Sequence, residues 1–149
     1  MSVSRWIASG GGIGYFPVAS GTVASFAALP IGAAALWFDH RLLFLLGVIA
    51  CVLGTWAIHA AKVEGDPGWI VIDEFAGQWI ALLGLDHISL AGIIAAFVLF
   101  RVFDIAKPGP VGWADRRHDA TGVMADDVIA GLMVAIILYL AAWVMPGWW

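Results

Sequence analysis

The chain has 149 residues, of which 62% are hydrophobic and only 12% charged, with a formal net charge of -4 and a mean hydropathy of +0.95. Its length points to one domain over 1–149. Soluble domains carry about 25% charged residues, so this composition excludes an ordinary water-facing surface and implies an integral membrane protein. It also excludes a basic patch on the scale that nucleic acid requires.

The N-terminal MSVSRWIASGGG has no apolar core of signal-peptide length, so no cleaved signal is expected. Residues 9–22, SGGGIGYFPVASGT, are rich in Gly, Ser and Pro and read as a loop, partly re-entrant at the membrane surface. The loop fits neither the dinucleotide fingerprint nor a Walker A sequence. An apolar helix is predicted over 23–38, with Gly21-Thr22 at its N-cap. Thr22 and Ser25 at this helix start serve either as cap and packing residues or as phosphate ligands.

Asp39-His40-Arg41 is a short polar turn, and 42–61 is the clearest span, about the twenty residues a bilayer needs. Cys51 sits in that run as a lone small hydrophobe, with no partner for a disulfide or a Cys-based metal site. KVEGDPG (62–68) is a turn. Residues 69–85 are apolar except for Asp73, Glu74 and Gln78. A charge within a membrane helix costs roughly 2.5–3.5 kcal/mol on insertion scales, so adjacent acids there need a functional reason. Glu74 and Gln78 are one turn apart and share a face.

Asp86-His87 is a second polar turn, followed by an apolar segment over 88–103. Arg101, Asp104 and Lys107 recur every three residues along one side of its end, and Pro108 and Pro110 stop it. Residues 109–125 read as a long polar loop, and Asp126-Asp127 open the last apolar helix, 128–145. Trp148 and Trp149 read as an interfacial anchor. The stretch 101–127 alone holds four of the seven basic and five of the eleven acidic residues.

The expected fold is thus an all-α, compact, membrane-embedded bundle of about five apolar helices, with a Gly-rich N-terminal loop and a long polar loop before the last helix. Alternating sides place six of the seven basic residues, all but Arg41, on one face. The positive-inside rule makes that face cytoplasmic. Every candidate site residue falls on it. Carboxylates from Asp73, Glu74, Asp104, Asp126 and Asp127 suit Mg²⁺, which binds through one or two carboxylates plus substrate phosphate. Arg101 and Lys107 suit phosphate oxygens. Metal, phosphate and interface together indicate a lipid phosphatase or phosphotransferase acting on a phospholipid at the bilayer surface. A rival reading of another class is a small ion- or proton-coupled transporter with Asp73 and Glu74 as cation sites. No inverted repeat supports it. Oligomeric state is not legible.

Four stretches carry a family resemblance: GGGIGYFPVASGTVASFAALP (10–30), VIDEFAGQWI (71–80), FRVFDIAKPGPVGWAD (100–115) and GVMADDVIAGL (122–132). In order and spacing they resemble phosphatidylglycerophosphatase A, the Mg²⁺-dependent bacterial enzymes that convert phosphatidylglycerophosphate to phosphatidylglycerol. The resemblance implies an all-helical fold in the bacterial inner membrane with its site facing the cytoplasm. It implies Asp73, Glu74, Asp126 and Asp127 in metal binding or catalysis, and Arg101, Lys107 and Thr22 on phosphate. The chain departs from the family pattern at Ser20, where Pro is usual, at Ala24-Ser25-Phe26, where Gly-Ser-Leu is usual, and at Thr121, where a Gly is usual. These changes alter loop stiffness and accessible φ. The charged positions of all four motifs are kept.

Overall fold

The structure, a computed structural model, describes residues 1–62, 65 and 67–145. Among these are seven α-helices, one short 3-10 turn and no strand. The helices are α1 (Val3–Ala8), α2 (Ser20–Phe38), α3 (His40–Ala60), α4 (Ile72–Leu82), α5 (Leu90–Ala106), α6 (Pro110–Asp115) and α7 (Ala120–Val144). Each predicted apolar segment corresponds to one of α2, α3, α4, α5 and α7, so the all-helical expectation holds. Two short helices, α1 and α6, add to the count. The anchor expected at Trp148 and Trp149, and part of the 62–68 turn, lie outside the described residues.

Capping explains several boundaries. Asp39 accepts from the Arg41 amide (2.7 Å) at the start of α3, and Ser89 accepts from the Gly92 amide (3.0 Å) at the start of α5. α5 ends at Ala106 ahead of Pro108, as expected. Two differences from expectation bear on the site. α2 starts at Ser20, not at residue 23, with Ala19 (φ 49°) as its N-cap and no side-chain cap. Gly21-Thr22 therefore lie inside the first turn. The 109–125 loop is mostly helical: Pro110 opens α6, and α7 begins at Ala120. Asp119 caps α7 by accepting from the Gly122 amide (2.7 Å). Asp126 and Asp127 consequently sit in the second turn of α7, not at its start.

The Gly-rich stretch folds back under α4. Gly10, Gly11 and Gly12 all take positive φ (57°, 71° and 101°), which is accessible to glycine without strain. This reversal leaves Ala8 O free to accept from the Val71 amide (3.0 Å), tying the N-terminus to the start of α4.

α4 is the central element. Asp73 and every residue from Phe75 to Leu82 are buried. It packs against α2, α3, α5 and α7. Its eleven residues extend only about 16 Å at 1.5 Å per residue, about half of the ~30 Å hydrocarbon core. The expectation of five spans is corrected accordingly: α2, α3 and α7 are long and apolar enough to cross a membrane, α5 falls just short at 17 residues, and α4 is enclosed by its neighbours. A helix apolar all round is buried, and hydropathy does not distinguish burial in protein from burial in lipid. The outer helices expose large apolar side chains, among them Phe26, Trp37, Phe44, Trp56, Ile136 and Trp143. Such a surface fits a bilayer and not water.

Backbone contact between α4 and α7 sets the geometry. A Cβ on Gly77 would stand 2.6 Å from Asp127 O and 2.5 Å from Phe100 Cε2, and one on Gly131 would collide with Gly77 O. Small residues let two helices approach this closely. Gly131→Ala is expected to cost about 1–3 kcal/mol by overpacking, lowering the unfolding temperature in detergent. Gly47→Ala, where the new Cβ would meet Ile80 Cγ1 at an ordinary 3.6 Å, should leave it near wild type.

Candidate active site

The helix ends that carry the charged motifs meet at one end of the bundle. They enclose a cavity of about 390 Å³ lined by residues from 19–22, 68–74, 101–107 and 126–127. All four sequence motifs contribute to this wall. A larger open groove of about 800 Å³ lies between α3 and α7, around Cys51, Trp56 and His59. Asp119 is its one carboxylate, so size does not make it the site.

Asp73 and Glu74 occupy the first turn of α4, closer to its N-terminus than their apolar surroundings suggest, and they gain from the helix dipole there. Asp73 Oδ1 accepts from the Glu74 amide (3.1 Å), and Asp126 Oδ1 from the Asp127 amide (2.9 Å). Asp73, Glu74 and Asp127 each offer an oxygen within 4.8 Å of the others, and so do Asp104, Asp126 and Asp127. Asp127 belongs to both groups. It is placed there by the α4–α7 contact.

The cations are concentrated on the second group. Arg101 Nη1 meets Asp104 Oδ2 at 2.6 Å. Lys107 Nζ bonds Asp126 Oδ2 and lies 3.1 Å from Asp115 Oδ1 and 3.5 Å from Asp104 Oδ1. Lys107 ends α5 with φ 49°, a conformation uncommon outside glycine. That turn directs the ammonium back to the acids. Burial works against its charge, but the bond to Asp126 and the nearby Asp104 and Asp115 outweigh it and raise its pKa above the ordinary lysine value. Lys107 therefore stays cationic and acts by charge. The Arg101–Asp104 bridge, the plain structural use of that spacing, coexists with a place in the cavity wall.

Five carboxylates and two cations line this cavity, a formal charge of -3 if every acid ionises. The imbalance is local. Glu74 Oε2 and Asp127 Oδ1 are shielded from solvent with no hydrogen-bond partner, as is Arg101 Nε. One turn beyond Glu74, Gln78 is fully buried with both amide atoms unpaired. Buried polar groups are rarely left without partners. Such a concentration beside a cavity marks a place for an ion, a ligand or ordered water.

Thr22 lines the cavity, as expected. Ser25 does not. It is fully buried, donates to Gly21 O (2.9 Å) and accepts from Arg101 Nη1 (3.3 Å), so it positions the guanidinium. Two residues outside the expected site set also contribute. Asp115 supports Lys107 from α6. Gly21 lies so close to α4 that an added Cβ would collide with Glu74 Oε1. Ser20, whose hydroxyl donates to Gly68 O, ties the same turn to the segment before α4.

A family model described as phosphatidylglycerophosphatase A matches residues 6–142. The chain is 39% identical over 137 residues to phosphatidylglycerophosphatase A of Escherichia coli K12, covering 89% of this chain and 80% of that protein. It is 35% identical over 138 residues to phosphatidylglycerophosphatase A of Haemophilus influenzae, covering 89% and 85%. It is 38% identical over 151 residues to a putative phosphatidylinositol-3-phosphatase of Bacteroides thetaiotaomicron, covering 93% of each. No solved structure matches.

Gly21→Ala is expected to displace the Glu74 carboxylate and weaken Mn²⁺ binding by roughly tenfold to hundredfold, the range for disturbed ligand support. Electron paramagnetic resonance titration of the purified protein in detergent reads this directly. Gly47→Ala, remote from the cavity and with an ordinary 3.6 Å contact to Ile80 Cγ1, should bind Mn²⁺ as wild type does.

Proposed function

Because the chain belongs to the phosphatidylglycerophosphatase A family, we propose that it hydrolyses the terminal phosphomonoester of phosphatidylglycerophosphate in a Mg²⁺-dependent reaction. The chain is a phosphatase with helices fit to cross a membrane. The proposal adds the substrate, the metal, and a site at the cytoplasmic face of a bacterial inner membrane. The observation that carries it is the excess of carboxylate beside two cations, Arg101 and Lys107, in one cavity.

Asp73, Glu74 and Asp127 would hold the ion, since two of their oxygens, Glu74 Oε2 and Asp127 Oδ1, lack any protein partner. When bound, Mg²⁺ supplies charge neutralisation and polarises the phosphoryl group. Asp104, expected as a direct ligand, is bound by Arg101 and Lys107, which favours a role in holding those two cations in place. Arg101 and Lys107 face the cavity and receive phosphate oxygens. The first amides of α2, which have no intrahelical partners, and the Thr22 hydroxyl complete the phosphate cradle. Asp126 anchors Lys107 and shares the second carboxylate group. Burial excludes bulk water and strengthens each of these interactions.

The orientation follows from charge: Arg5, Lys62, Arg101, Lys107, Arg116 and Arg117 lie towards the cavity end of the sequence's alternating segments, and Arg41 towards the other. A transporter reading loses its footing because Asp73 and Glu74 stand in the first turn of α4, at one end of the bundle, and not midway along a span. The family likeness to proteins named for two different headgroups makes the shared chemistry, a phosphomonoester on a lipid, the firmest part of the reading.

Phosphate release from phosphatidylglycerophosphate in detergent, with and without Mg²⁺, tests the proposal. Asp73→Asn and Asp127→Asn are expected to lower kcat/KM by roughly a hundredfold to a thousandfold, the scale of one lost electrostatic stabiliser. Asp39→Asn and Asp86→Asn, at the opposite end, should stay near wild type. Equal activity in all four variants refutes the site. Faster release from phosphatidylinositol 3-phosphate than from phosphatidylglycerophosphate would reassign the headgroup and leave the site standing.

A further inference from the structure

The polar cavity accounts for a phosphate and its neighbouring oxygens, but a lipid substrate also has tails. Beside the cavity, between α2 and α5, runs a second groove of about 460 Å³. Its wall includes Thr22, Phe97, Val98, Arg101, Val102 and Ile105. Thr22, Arg101 and Ile105 also line the polar cavity, so the two spaces share a border. Every other residue of the groove is apolar.

Val98, Val102 and Ile105 follow the i, i+4, i+7 spacing that puts side chains on one helix face. They are 49%, 52% and 70% exposed, a continuous apolar stripe on α5 that ends next to Arg101. Across from it Phe26 of α2 meets Phe97 edge-on, with ring centroids 6.1 Å apart. α2 enters the groove's lining through Thr22 in its first turn, and α2 is long enough to cross a bilayer. Two further grooves among the described residues are different. The one around Cys51, Trp56 and His59 shares no residue with the polar cavity, and neither does the apolar pocket around Phe44 and Leu132.

We infer that the α2–α5 groove seats the acyl chain of the lipid whose phosphomonoester enters the polar cavity. The inference rests on the phosphatase reading. A phospholipid presents a charged group at the interface and hydrocarbon below it, and this pair of spaces has the same order: charged cavity, a border of Thr22 and Arg101, then an apolar trough between two helices. Binding energy gained by the tail in the trough holds the phosphate against Arg101 and Lys107. Remote contacts of this kind set the efficiency of reaction at the polar end.

The first test uses wild-type protein, so folding of a variant is not at issue. Phosphatidylglycerophosphate with a diazirine in one acyl chain is photolysed with the protein, and adducts are mapped by mass spectrometry. Adducts on 98–106 are expected, and excess unlabelled phosphatidylglycerophosphate should remove them while phosphatidylglycerol, lacking the phosphomonoester, removes far fewer. Adducts on Val52 and Leu53, which face outward on α3, should resist both competitors. The inference is overturned if the competed adducts fall on 51–59, or if those on 98–106 are not competed at all. A second test fills the groove: Val98→Trp should lower kcat/KM for the diacyl lipid by about tenfold, the scale of a hydrophobic-pocket mismatch, while Leu53→Trp changes it less than about twofold. Equal effects of the two substitutions count against the groove. Phosphate release by wild type is read in the same samples. Its absence would defeat the phosphatase reading, whereas its presence with misplaced adducts defeats only the groove.

Discussion

Helix α4 can lie against α7 only because neither Gly77 nor Gly131 has a side chain at the crossing. That contact brings Asp127 to Asp73 and Glu74, residues more than fifty positions away in sequence, and so creates a carboxylate group within the protein. Bringing like charges together in a shielded place is unfavourable unless something compensates. Lys107 and Arg101 compensate Asp126 and Asp104. Glu74 and Asp127 retain oxygens with no protein partner. The fold therefore concentrates carboxylate oxygens at one spot, where a metal ion could be held.

The same arrangement explains why so much of the chain is apolar. A short central helix that carries acids at its first turn must be enclosed, and α2, α3, α5 and α7 enclose it. Their outward faces then meet lipid, which accounts for the exposed Phe, Trp and Ile side chains. Polar groups are left for the end of the bundle where four helix ends converge. Two residues in the left-handed region, Ala19 and Lys107, stand at the rim of the cavity. Non-glycine residues held this way often mark functional sites. Here each lets a helix end turn sharply enough to face the cavity.

Much of this was legible from residue order. The five apolar runs became helices, and Pro108 followed the end of α5. The four motifs, each ambiguous alone, line one cavity. Other features were hidden for physical reasons. Hydropathy could not reveal that 69–85 holds a short enclosed helix, because protein and lipid are equally apolar neighbours. The start of α7 was masked by the polar, loop-like composition of 115–122, where a single cap at Asp119 nucleates the helix. Ser25, near a helix start, suited either packing or a phosphate contact. Its burial and its bond to Arg101 emerge only when α2 and α5 pack. Gly21 is a spatial requirement of Glu74, and no local pattern encodes a contact with a residue so distant in sequence.

The central claim is that acids from separate helices form one divalent-cation site. Anomalous diffraction from crystals grown with Mn²⁺ tests it most directly. The account predicts a single strong peak inside the cavity, coordinated by oxygens of Asp73, Glu74 and Asp127, which disappears in Asp127→Asn. Mn²⁺ bound only at exposed carboxylates such as Asp39 or Asp86, with the cavity filled by water alone, would contradict it.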